Sequence, residues 1–251
     1  MNMRRIGAIM LRQVYLLRGS PTRILPLFAW IAIDVMLWGF ITRYLNAIAS
    51  PGFDFVPAML GAVLLWDFLS RVMQGVTMAF FEDVWSRNLL AIFASPLSRA
   101  EYVTGLVLTG ICTSLLGLAV MIALASLAFG LSFLSYGLAI IPGLIVLFLF
   151  GVALGVAGSA MVLRLGPAAE WLIWPLPAVL SPFASVFYPV ASLPGWMQPL
   201  AHALPPSYVF ESLRAVTQGG QADFTALTLA LGLALLYLAA AAAFFAHVHG
   251  V

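Results

Sequence analysis

The chain has 251 residues, of which 63% are hydrophobic and only 8% charged, and its mean hydropathy is +1.08. Soluble domains average about 45–50% apolar and about 25% charged residues, so a water-soluble fold is excluded and an all-α integral membrane protein is expected. All 11 basic residues are arginine and none is lysine, which excludes P-loop and Schiff-base lysine chemistry; the arginines read as topology signals, not as a nucleic-acid surface.

About 20 apolar residues are needed per crossing, so six crossings in a single domain spanning residues 1–251 consume nearly the whole chain. Residues 3–19 set Ile6, Ile9, Met10, Val14 and Leu17 at helical spacing among Arg4, Arg5, Arg12 and Arg18, which predicts a helix lying in the membrane interface. Arg12 and Arg18 interrupt the apolar run and no small-residue cleavage site follows, so this segment is expected to be retained and not removed as a signal peptide. The first crossing is expected at 24–44, a turn at Pro51-Gly52, and the second crossing at 53–81.

A charge-dense segment, 82–101, separates the second crossing from the third, 102–129. The short linker 130–135 leads into the fourth, 136–163, so these two are expected to form a tight helical hairpin. The fifth crossing, 171–190, contains Pro175, Pro177, Pro182 and Pro189. Residues 191–222 are too interrupted by Pro and Gly to cross and predict two short helices broken at Pro205-Pro206, with Trp196, Tyr208 and Phe210 at headgroup level. The sixth crossing is 224–246. With Arg4, Arg5, Arg12, Arg18, Arg23, Arg87, Arg99 and Arg164 on one side and Arg43 and Arg214 on the other, the positive-inside rule puts both termini in the cytoplasm.

Intramembrane charge is the first functional signal, because an ionised residue at bilayer depth costs about 2.5–3.5 kcal/mol on insertion scales and needs a partner or water. Asp67 and Arg71 share a helix face at i, i+4, and Asp34 lies at a similar depth. Two readings stand for this cluster: an ion-pair lock between the first two helices, or a lining of the transport route or a gate. The second signal is 82–95, where Glu82, Asp83, Trp85, Arg87 and Asn88 precede Leu89, Leu90, Ile92 and Phe93 and the run closes near Ser95-Pro96. This predicts an amphipathic cytoplasmic helix, either a docking element or an interfacial helix resting on lipid. Ser98 and Glu101 then have capping-box spacing for the third crossing.

Gly151, Gly155 and Gly158 form a small-residue face, for close packing within the chain or for dimerisation. Cys112 is the lone cysteine and forms no intrachain disulfide. His202, His247 and His249 have no metal-ligand spacing, so no metal and no catalytic residue is expected. An intramembrane hydrolase is disfavoured by the lack of Gly-x-Ser-x-Gly and His-Glu-x-x-His patterns. An ion- or proton-coupled secondary transporter is the alternative function; it calls for internal inverted repeats, and the short linker between crossings three and four has no counterpart between five and six.

Acidic residues, a leucine-containing helix and Ser95-Pro96-Leu97-Ser98 ahead of Glu101 resemble the permeases of type-2 ABC exporters, the ABC-2 family. So does the later succession Tyr188-Pro189, Leu193-Pro194-Gly195-Trp196, Leu204-Pro205 and Arg214, which is similar to that family's extracellular segment between its last two helices. The resemblance extends over the whole chain in helix order. It implies a half-transporter in the bacterial inner membrane, paired with a second permease chain as a homo- or heterodimer and surrounded by membrane lipids, with 82–95 as the coupling helix that docks separate ATPase subunits. ATP-Mg would be bound by those partners and no cofactor by this chain; the cargo would be a drug, lipid or glycan-lipid. The resemblance also implies a re-entrant extracellular hairpin at 191–222. Trp85-Ser86-Arg87-Asn88-Leu89 departs from the Gly-Thr step of many relatives, which leaves open the residues that touch the ATPase.

Overall fold

The computed structural model describes residues 2–19, 21–48, 56–85, 94, 96–166 and 169–249, and among these every regular element is helical. Helix α1 (Met3–Arg18) is followed by α2 (Pro21–Ile48), and a π-helical turn at Val56–Leu60 opens α3 (Gly61–Trp85). Helix α4 (Arg99–Phe129) leads through a 3-10 turn at Phe133–Ala139 into α5 (Ile140–Leu165). Two short helices, α6 (Glu170–Ile173) and α7 (Leu176–Leu180), then a 3-10 turn at Val190–Ser192, precede α8 (Gln198–Ala203), α9 (Pro205–Thr217) and α10 (Phe224–His249).

Among the described residues five stretches are long and apolar enough to cross a membrane: Phe28–Ile48, Val56–Met78, Ala100–Phe129, Phe133–Leu165 and Phe224–Val248. Residues 171–190, expected as one more crossing, are not a continuous rod. A turn at Trp174 and Pro175 separates α6 from α7, and turns and bends occupy 181–188. Pro175, Pro177 and Pro182 lack the N–H that an unbroken helix would need, which accounts for the interruption.

Helix α3 occupies the middle of the bundle, with Phe68, Leu69, Val72 and Met73 at most 1% exposed. It packs against α4 on one side and α5 on the other, while α2 flanks α4 and α10 flanks α5. Glycines make both contacts close. A Cβ on Gly155 would stand 2.8 Å from the Val76 Cβ and 2.9 Å from the Met73 carbonyl oxygen, and one on Gly151 would stand 2.9 Å from the Leu69 carbonyl oxygen. The Thr77 hydroxyl donates across this seam to the Gly155 carbonyl at 3.2 Å. On the other flank Gly75 lies against Gly110. The small-residue face of α5 is thus spent on packing within the chain.

This arrangement overturns the hairpin expected between α4 and α5. Gly130 ends α4 at φ 71, with its N–H and that of Leu131 closing onto the Ser126 and Ala125 carbonyls. Gly137, at φ 58 and ψ −150, then bends the linker, a backbone state that only glycine adopts readily. The two helices make little contact with each other, because α3 lies between them. Each carries a glycine face, and both faces fit α3.

The neighbours along each seam give the helix directions. Leu69 and Val72 meet Gly151, and Thr77 meets Gly158, so α3 and α5 run parallel; Arg71 meets Gly117 and Gly75 meets Gly110, so α4 runs against them. Tyr237 stacks edge-on with Phe150, and Phe245 with Phe80, so α10 runs with α3 and α5. Between α5 and α10 the chain therefore returns along the bundle. Ile173 packs with Gly158 and with Phe81, Tyr102 and Ile9 at the α1 end, whereas Val186 lines a small cleft with Pro57, Tyr136 and Phe210 at the opposite end.

Replacing Gly155 by Leu is expected to destabilise the bundle by about 1–3 kcal/mol through overpacking, seen as a lowered melting temperature of the purified chain in detergent. Gly232→Leu on α10, where a Cβ meets nothing within 4 Å, is expected to leave the melting temperature unchanged.

Candidate functional site

Charge inside the bundle gathers where α2, α3 and α4 meet. Arg71 Nε donates to Asp67 Oδ2 at 2.8 Å, and the two side chains are 14% and 21% exposed. The i, i+4 spacing on α3 brings them together. The arginine stem passes Gly117 of α4, which also faces Ile31 of α2. Asp34, on α2, lies within electrostatic reach of both Asp67 and Arg71. The three residues therefore form one cluster, with two carboxylates against one guanidinium. Asp67 and Arg71 also belong to a half-buried stripe of α3 completed by Gln74 and Met78, whose spacing of four, three and four residues keeps them on one helical face.

At the α1 end, Glu101 joins two helix starts. Its backbone N–H donates to Ser98 Oγ at 3.2 Å and its Oε2 accepts from the Ser98 N–H at 2.9 Å, completing the capping box read from the sequence. The same carboxylate accepts the Asn2 N–H through Oε1 at 2.6 Å and pairs with Arg5 at 3.5 Å. Nothing in the sequence near Asn2 signals that partner, 99 residues away. Of the residues expected to dock an ATPase, Glu82, Asp83 and Trp85 continue the backbone of α3 and Pro96 sits in a turn just before Ser98. Arg87, Asn88, Leu89, Phe93 and Ser95 lie outside the described residues.

At the opposite end, Arg214 of α9 holds the end of the broken segment. Its guanidinium donates to the Ser185 carbonyl at 2.8 Å and pairs with Glu211 at 3.2 Å, while Glu211 Oε1 accepts the Val190 N–H at 2.6 Å. Burial, only partly offset by the adjacent Glu211, lowers the pKa of Arg214. The i, i+3 pairing of Glu211 and Arg214 is visible in the sequence; their grip on residues 185–190 is not. Ser185 has φ 52, an uncommon state for a residue with a side chain.

Pro189 precedes the Val190–Ser192 turn, and Leu193 packs with Val190 and Ala201. Pro194 follows, and its carbonyl accepts the Met197 N–H at 2.8 Å, while Trp196 is exposed. Pro205 and Pro206 occupy the first turn of α9, where a missing N–H is tolerated. Phe210 lies on the buried face of α9, is 3% exposed and packs on Trp66, so its ring is turned to the bundle. Among the described residues no group of three or more His, Cys, Asp or Glu could hold a metal ion.

A family model described as ABC-2 type transporter matches residues 7–217. No curated protein matches the chain.

Arg71→Met leaves Asp67 without its partner, so it is expected to destabilise more than the double change Asp67→Asn with Arg71→Met. A double-mutant unfolding cycle should return a coupling of about 0.5–3 kcal/mol; additivity would remove the pair's structural role. Arg214→Gln is expected to speed hydrogen exchange over residues 185–192, with Arg214→Lys falling between, since lysine keeps the charge but not the fork.

Proposed function

The chain belongs to the ABC-2 type transporter family, and on that premise we propose that two permease chains, this one and a second copy or a relative, form the pathway of an ATP-driven exporter of a drug, lipid or glycan-lipid. It is a multi-pass membrane protein and the permease subunit of an ABC transporter, a transport subunit and not a catalytic one. The family match over residues 7–217 carries this conclusion. ATP-Mg binds and is hydrolysed on separate ATPase chains, in keeping with a sequence that has no lysine.

Six crossings agree best with the helix directions, while the bacterial inner membrane follows from the resemblance and the cytoplasmic termini from the arginine distribution. Because α5 and α10 run parallel, the segment that joins them has to travel the opposite way, from the level of Ile173 to that of Val186. Thirteen residues cover about 20 Å at helical rise, close to the about 22 Å of α5 from Gly158 back to Gly143, where α9 is met. On this reading the broken segment serves as the fifth crossing, and 191–222 as an extracellular hairpin that re-enters toward the pathway.

Residues 82–95 dock the ATPase. Helix α3 continues to Trp85, beyond its apolar stretch that ends at Met78, and α4 starts after the Ser98 cap, both on the side of the bundle where α1 lies. The half-buried stripe of α3 with Asp67, Arg71 and Gln74 faces the pathway between the two permeases. An ion-coupled carrier fits less well, because Asp67 is already engaged by Arg71.

Co-expression with the ATPase of a neighbouring reading frame tests the reading. Leu89→Asp or Phe93→Asp is expected to weaken ATPase binding about 30-fold, the size of a ~2 kcal/mol interface hot spot, and to stop export while the permease accumulates normally. Intact co-purification and export in both variants would refute docking through this segment.

A further inference from the structure

Helix α1 has two apolar faces, and the bundle uses one of them. Ile6, Ile9 and Gln13 are buried, with Ile9 and the Ile6 carbonyl against Gly105 of α4. The opposite face carries Arg4, Leu11, Val14, Tyr15 and Arg18, all exposed, at spacings of seven, three, one and three residues that keep them on one side of a helix. The apolar centre is Leu11, Val14 and Tyr15, respectively 52%, 52% and 63% exposed. An arginine brackets it at each end, about 21 Å apart at helical rise. No acidic residue occurs in α1, and among the described residues neither Arg4 nor Arg18 has an ion-pair partner.

The inclination of α1 suits a surface and not a crossing. Its start is tied to Glu101. Its far end joins α2 at Pro21, ten residues before Ile31, which neighbours the same glycine of α4, Gly117, as Arg71 does. Ile31 meets Gly117 and Phe40 meets Phe129, so α2 and α4 run parallel; Pro21 is then level with about residue 107, and α1 rises by about 9 Å over a length of about 24 Å. That interval lies between Ala100, where the apolar stretch of α4 opens, and Phe28, where that of α2 opens.

We propose that this outer face of α1 binds anionic phospholipid headgroups of the cytoplasmic leaflet, with Arg4 and Arg18 on the phosphates and Leu11, Val14 and Tyr15 seated among the upper acyl carbons. Arginine guanidinium matches phosphate geometry, an aliphatic stem can lie along lipid while its head stays at the surface, and a tyrosine ring suits the same depth. The observations favour lipid over a protein partner because the charge on this face has one sign and its apolar centre is narrow. The inference rests on the multi-pass membrane reading and not on ATPase docking.

The test uses the full chain with Cys112→Ser and a nitroxide on Val14→Cys, in nanodiscs of phosphatidylcholine with or without phosphatidylglycerol. The expected label is accessible to oxygen and shielded from a nickel chelate, and it moves deeper when phosphatidylglycerol is present. Arg4→Gln with Arg18→Gln is expected to abolish that lipid-dependent shift without changing the melting temperature, whereas Arg43→Gln on α2 leaves the shift in place. A label shielded from both reagents would mean a second copy covers the face, and a label open to the nickel chelate would mean water does. Either result overturns the proposal, as does a depth that ignores phosphatidylglycerol or a shift that survives the double change. No ATPase enters the measurement, so its failure is separable from failure of docking.

Discussion

Close approach of backbones around α3 is the constraint from which the remaining architecture follows. In an apolar solvent helices gain little from hiding apolar side chains from one another, so association depends on packing distance and on polar contacts across the seam. Gly151, Gly155 and Gly158 bring α5 against Leu69, Val72, Met73 and Val76, and Gly110 does the same for α4 at Gly75. With both flanks of α3 occupied, α2 and α10 are left the outer positions beside α4 and α5. The charge cluster lies in the same seam, with the Arg71 stem passing Gly117 of α4.

Where the helical ladder fails, side chains take over its hydrogen bonds. The prolines of 171–190 remove donors, and the broken segment ends in a residue with positive φ. Arg214 and Glu211 supply one donor set and one acceptor to Ser185 and Val190, so a single turn of α9 fixes both sides of the irregular stretch. Backbone of this kind is tolerated at membrane depth only where protein or a water-lined cavity satisfies it. Two charged residues that look like a local pair in the sequence thereby serve the fold at long range.

Much of this was legible in local spacing. Continuous apolar runs located the long helices, the Ser98–Glu101 interval foretold a capping box, and the i, i+4 step from Asp67 to Arg71 foretold an ion pair; each depends only on residues within a turn or two. Spacing fails where the partner is distant. The short linker after Gly130 suggested that α4 and α5 pair, because sequence distance was taken for spatial distance, whereas the glycine faces of both select α3. Residue type suggested a depth for Phe210 but not that its face of α9 is turned to the bundle. The Asn2 contact of Glu101 and the reach of Arg214 to Ser185 have no local signature at all.

The shared carboxylate of Glu101 also sets an order of events during biosynthesis. Asn2 and Arg5 leave the ribosome before α2 and α3, but the group that receives Asn2 is encoded 99 residues later. At about 5–20 residues per second, α1 waits several seconds, through the synthesis of α2 and α3, before its anchor exists. Until then the start of α1 has no anchor, and α2 and α3 wait with it, because both pack chiefly on helices made later.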